Sequence, residues 1–147
     1  MKNKSHCMKK ITKLLDEQKF CVLSTRSEKY PYTTLVGFYV NVECNEMIFG
    51  TMNDTRKYKN LINYPLISAL VTDRKNSYLD IKDAAALTVL GEAHEIKENI
   101  KMHADSFISK HPYMEDFINT PNCALFMVKV ERYILVENFQ NVYEFVL

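Results

Sequence analysis

The chain has 147 residues, of which 47% are hydrophobic, 12% aromatic and 25% charged, the composition of a folded globular protein and not of a disordered or collagen-like one. Its 19 basic side chains are matched by 18 acidic ones, which argues against a broad nucleic-acid surface, because phosphate-backbone binding leaves a surplus of Lys and Arg. No apolar run reaches the roughly 18 residues that span a bilayer, and Lys13 and Asp16 interrupt the N-terminal segment before it becomes a signal-peptide core.

A single domain over residues 1–147, in the cytoplasm, is therefore expected. Cys7, Cys21, Cys44 and Cys123 show neither CxxC nor a His at metal-ligand spacing and read as reduced, partly buried thiols. His6 beside Cys7 supplies two adjacent ligands and no closed site, so no metal is assigned.

In chain order, Met8, Ile11, Leu14 and Leu15 predict an amphipathic helix over residues 5–17. The run "FCVLST", residues 20–25, predicts a strand, followed by a turn at 28–31. "YTTLVGFYVNV", residues 32–42, predicts a second strand, joined by Glu43, Cys44 and Asn45 in a hairpin to a third, "EMIFGT".

A helix capped by Asp54 or Thr55 follows, with Tyr58, Leu61 and Ile62 at helical spacing, and ends near Asn63 because Pro65 disfavours helix in the residue before it. The apolar residues 66–73 predict a strand covered on both faces, and Arg74 to Ser77 a polar connection. Residues 84–96 predict a long strand with a bulge or bend at Gly91 and a polar second half that leaves the core. Residues 97–110 predict a helix broken at His111-Pro112, with a further turn or two over 113–119, and residues 123–137 a final long strand. About six strands with peripheral helices escape exposed edges most simply as a β-barrel.

The segment "GTMNDTRKYKNL", residues 50–61, poses an electrostatic question. A helix N-terminus carries partial positive charge, yet Arg56 and Lys57 occupy the first turn. One reading places them on a solvated face or pairs them with Asp54. The other makes an anion site: Gly50 lets a ligand approach the backbone, Thr51 and Thr55 offer hydroxyls, and the first helical N–H groups lack partners. Arg56 then offers a planar fork to a phosphate and Lys57 a point charge. The segment is not a Walker A loop and the chain holds no GxGxxG, so an ATPase or a Rossmann dehydrogenase is unsupported.

With "YPYTTLVGFYV" before it, "IFGTMNDTRKYKNLINYPLISALV" resembles the pyridoxamine 5'-phosphate oxidase-related FMN-binding split barrels, over residues 14–137. The resemblance implies a mainly β, six-stranded antiparallel split barrel and FMN as cofactor. It implies that Arg56 and Lys57 grip the FMN phosphate with Thr51 and Thr55, and that Thr34, Leu35, Val36 and Gly37 run beside the flavin ring. Family members are usually homodimers with flavin sites at the interface. Tyr133, Phe139 and Tyr143 are candidates for that surface or for ordinary packing.

Two departures bear on substrate. Thr34 and Tyr39 stand near positions where the true oxidases carry basic residues, and no Arg or His follows Arg132. A second anionic group therefore lacks obvious partners, which argues against vitamin B6 oxidation.

The leading expectation is an FMN-dependent oxidoreductase acting on an unidentified small molecule. His94, His103 and His111 have no recognisable Ser or Cys partner, so no catalytic side chain is assigned. The rivals are a non-enzymatic flavin- or haem-binding protein on the same barrel and a phosphate-ligand module without a redox cofactor.

Overall fold

The computed structural model describes residues 2–147. Helix α1 (Lys2–Glu17) presents Cys7, Ile11, Leu14 and Leu15 on one stripe, all of them buried. Burying an aliphatic side chain stabilises by roughly 1.5–3 kcal/mol, so this stripe is what holds α1 on the sheet.

The strands are β1 (Phe20–Arg26), β2 (Pro31–Gly37), β3 (Tyr39–Val40), β4 (Glu46–Met52), β5 (Leu66–Thr72), β6 (Ala85–Glu95), β7 (Cys123–Glu137) and β8 (Asn141–Val146). Helix α2 (Arg56–Asn63) joins β4 to β5, and the short α3 (Asp80–Asp83) precedes β6. Between β6 and β7 lie α4 (Ile100–Lys110), a 3-10 turn (Pro112–Met114) and α5 (Glu115–Ile118).

Every strand pairing is antiparallel, in the order β2-β1-β5-β6-β7-β4-β3, with β8 added on β7. The order begins and ends on two pieces of one stretch of chain, because only Phe38 separates β2 from β3. The stretch pairs with β1 before Phe38 and with β4 after it, so the sheet curls until its ends meet. Phe38 is fully buried at this junction, and its N–H donates to the Lys19 carbonyl at 3.3 Å. Beyond β1, β2 has no strand partner among the described residues, and its free edge is the split in the barrel.

The mainly β split barrel thus has eight strands rather than six. The predicted second strand divides at Phe38, and the C-terminal β8 adds one more. The second half of β6 alternates instead of leaving the core, since Gly91 and Ala93 are buried and His94 is exposed.

Gly91 does sit at a bulge: its pairing with Val130 beside the Leu90–Arg132 pair leaves Glu131 as the extra residue. A Cβ at Gly91 would lie 2.3 Å from the Lys129 carbonyl oxygen, so the approach of β7 excludes any other side chain. Helix α4 begins at Ile100 and not at 97, because Asn99 takes a left-handed φ of 53°.

Inside the barrel, Leu23, Ala69, Val89, Tyr133 and Phe145 stand opposite one another across β1, β5, β6, β7 and β8, and all are buried. Thr34, opposite Leu23, ends this row at the free edge of β2. A second cluster, with Ile48, Ala104, Phe107, Ile118 and Leu125, packs α4 and α5 against the other face of β4 and β7.

Candidate functional site

At the start of α2 the cap is Thr55 and not Asp54. Thr55 is extended, with φ −90° and ψ 159°, and its hydroxyl accepts from the Tyr58 N–H at 3.2 Å. The same hydroxyl donates to the Met52 carbonyl at 2.9 Å and lies 3.0 Å from the hydroxyl of Thr51, which is buried at the end of β4. A consistent chain runs from the Thr51 hydroxyl to that of Thr55 and on to the Met52 carbonyl. The two threonines therefore fix the turn, and the backbone N–H groups of Arg56 and Lys57 remain without partners among the described residues.

Lys57 is half-buried, with no carboxylate at ion-pair distance among the described residues. Burial pushes its ammonium below the usual 10.5, and the nearby Cys21 thiol only partly opposes this. Arg56 is exposed and rests over the Tyr32 ring, 5.4 Å from its centroid. Asp54 is exposed and pairs with neither cation among the described residues. The solvated-face reading thus fits Arg56 in part, but it does not account for a half-buried Lys57.

Along β2, Thr34 and Tyr32 face the same side as Leu23 and Thr25, their partners on β1. Thr25 is tied to α2, because its hydroxyl accepts from the buried Asn60 amide at 3.1 Å. The Thr34 hydroxyl is buried and has no hydrogen-bond partner, which leaves an unmet polar group at the free edge of the barrel. Leu35 points outward and is 69% exposed, whereas Val36 is buried.

The two glycines of the candidate set serve packing. A Cβ at Gly50 would lie 2.9 Å from Ile118 Cδ1 and 3.2 Å from Cys123 Sγ, and one at Gly37 would lie 2.9 Å from Met114 Sδ. This corrects the expectation that Gly50 leaves room for a ligand, since α5 fills that room, and the 3-10 turn does the same at Gly37.

His111, where the helix breaks before Pro112, is a buried latch. Its Nε2 donates to the Phe38 carbonyl at 2.7 Å and its ring stacks on Phe107 at 4.6 Å. Burial holds its pKa below the usual 6.5 despite the Phe38 hydrogen bond, so the neutral ring carries its proton on Nε2. Lys110 beside it donates to the Leu15 carbonyl at 2.7 Å and sits 4.0 Å from the Phe38 ring centroid. Burial, aided by the Lys19 charge, pushes Lys110 down to about 8 against the opposing pull of Asp16 and Cys21.

Of the three aromatic candidates for a partner surface, Tyr133 is fully buried, with its hydroxyl donating to the Cys44 carbonyl at 2.8 Å. Tyr143 packs against the core, and Phe139 alone is exposed.

A family model described as pyridoxamine 5'-phosphate oxidase matches residues 7–136. The chain belongs to that family. No curated protein sequence matches it. Among solved structures, General Stress Protein 26 from Bacillus anthracis is 19% identical with a TM-score of 0.76, over 97% of this chain and 99% of that one. An FAD-binding protein from Mesorhizobium loti is 16% identical with a TM-score of 0.69, over 86% and 91%. A haem-binding protein from Mycobacterium smegmatis is 13% identical with a TM-score of 0.76, over 88% of this chain and 53% of that one, so this chain spans about half its length. These likenesses establish the split-barrel fold of the pyridoxamine 5'-phosphate oxidase family.

Nothing local to Thr34 marks its hydroxyl, because the row that ends on it is assembled from strands far apart in sequence. The His111–Phe38 latch is equally hidden, since a lone His before Pro gives no signal of it.

Proposed function

We propose that this chain is an FMN-binding flavoprotein, an oxidoreductase acting on a small molecule. The observation that carries the reading is Lys57, a half-buried cation in the first turn of α2 with no protein carboxylate beside it among the described residues. A phosphate there would meet the Lys57 ammonium, the Arg56 guanidinium and the free N–H groups of the first turn, and would turn an unfavourable dipole interaction into a favourable one. Thr51 and Thr55 would shape this cradle by fixing the turn that presents those N–H groups.

The residues fit the rest of the group as well. Thr34 offers a buried, unpartnered hydroxyl, and the unpaired edge of β2 from Thr34 to Gly37 offers backbone N–H and C=O groups to the polar rim of a flat ring. When bound, the flavin would supply the hydride or electron transfer, while the chain binds and orients it. Vitamin B6 oxidation is not proposed, because Thr34 and Tyr39 stand where a second phosphate would need basic residues. Haem would require an axial ligand, which neither His111, bonded to the Phe38 carbonyl, nor His94, paired with Glu92 at 2.8 Å on an exposed strand, offers without losing its partner.

A homodimer in the cytoplasm completes the proposal. Phe20, Leu35 and Leu70 are exposed on the outer face of β1, β2 and β5, and a second copy would cover this apolar surface. The visible absorbance and mass of any copurifying ligand, followed by FMN titration of colourless protein, test the reading. Flavin absorbance or micromolar binding is expected; a colourless protein that binds no FMN in that range would contradict it. Reduction of the bound flavin by NAD(P)H would support the oxidoreductase half.

A further inference from the structure

The turn between β1 and β2 borders a cavity of about 470 Å³ that the flavin reading does not use. Arg26 and Lys29 line it together with the hydroxyls of Ser24, Ser27 and Ser68 and the exposed ring of Tyr30. Neither cation has a carboxylate partner among the described residues. Arg26 instead lies over the Tyr64 ring, 4.5 Å from its centroid, a contact that holds the guanidinium in place without neutralising it. The turn is itself braced, with the Tyr30 N–H donating to the Ser27 hydroxyl at 3.2 Å.

We propose that this cavity is a nucleotide subsite, taking the phosphate, ribose and base of a nucleoside diphosphate or of the nucleotide half of a dinucleotide. Arg26 and Lys29 meet the phosphates, and Tyr30, which has the Lys29 ammonium 5.1 Å from its centroid on one face, supplies its other face for the base. Glu28, on the same wall, would oppose a bare phosphate but can accept hydrogen bonds from the ribose hydroxyls, which favours a nucleotide over an inorganic anion.

The subsite does not rest on the flavin reading. Tyr64 caps the C-terminal end of α2, and eight residues of helix, about 12 Å of rise, separate that end from Arg56, so the two groups of cations are anchored at opposite ends of the helix.

Calorimetric titration of the full chain with ADP, adenosine and inorganic phosphate tests it, with FMN titrated separately so that the two readings fail independently. ADP is expected to bind more tightly than adenosine or phosphate, and the Arg26→Gln/Lys29→Gln double variant to weaken it by about tenfold or more, the loss of at least one charge-assisted contact. Lys57→Met and excess FMN should leave ADP binding within about twofold, as sites without shared partners require. Should the double variant unfold, the exposed Lys29→Gln alone should cost about threefold, the scale of one weak surface charge. The proposal is overturned if ADP does not bind, if phosphate binds as well as ADP, if these substitutions change nothing, or if FMN displaces ADP.

Discussion

Two helix ends carry neighbouring basic side chains, and the fold treats them oppositely. At the C-terminal end of α4, Lys110 and His111 stand where a helix dipole favours positive charge, and both are used by the protein: Lys110 by the Leu15 carbonyl and the Phe38 ring, His111 by the Phe38 carbonyl. At the N-terminal end of α2, Arg56 and Lys57 stand where the dipole disfavours them, and no carboxylate answers either one among the described residues. The first pair closes the barrel, pinning α1 and α4 to the junction between β2 and β3. The second contributes nothing comparable to the fold, which is the pattern expected of groups kept for a ligand.

The contrast breaks most visibly through ligand affinity. Arg56→Ala should weaken FMN binding by about 100-fold, since a charge-assisted phosphate contact is worth roughly 1.5–3 kcal/mol, while leaving urea stability within about 0.5 kcal/mol of wild type. His111→Ala should do the reverse in stability: loss of its hydrogen bond and buried ring should cost about 2–4 kcal/mol in urea unfolding. An unchanged midpoint for His111→Ala would mean that the latch is not structural.

The smallest effect is a pH dependence. Lys110 is held at about 8 in the fold against 10.5 ordinarily, so between these values the unfolded chain binds more protons than the folded one. Its contribution therefore makes stability rise with pH across that window. Burial raises the Cys21 thiol and the Tyr133 hydroxyl and so pulls the other way in this range, which makes the comparison with Lys110→Met the readout: from pH 7.5 to 10.5 the slope of urea stability with pH should be more positive in wild type than in the variant, and identical slopes would remove Lys110 from the account.

Local pattern made much of this molecule legible. The α2 helix, its capping turn, the alternation of β1 and the bulge at Gly91 are each written within a few residues. What stayed hidden depends on contacts between distant segments. Residues 32–42 keep a strand pattern throughout, so nothing local shows that the pairing partner changes from β1 to β4 at Phe38. The β8 strand had a usable signal, with Tyr143 and Phe145 alternating beyond a turn in which Asn138 takes a left-handed φ of 50°. In the candidate site, residue types announced Arg56 and Lys57, but their lack of a protein partner, and the stranded Thr34 hydroxyl, appear only once β2 reaches the open edge of the barrel.

Lys57→Met, measured for both FMN affinity and urea stability without ligand, tests the central claim most directly. A methionine of similar length removes a half-buried charge that the fold leaves unpaired. FMN affinity should fall by about 100-fold or more, as loss of a charged phosphate contact requires, while the unliganded protein stays as stable as wild type or gains slightly. Unchanged FMN affinity together with a marked loss of stability would contradict the account and return Lys57 to a structural role.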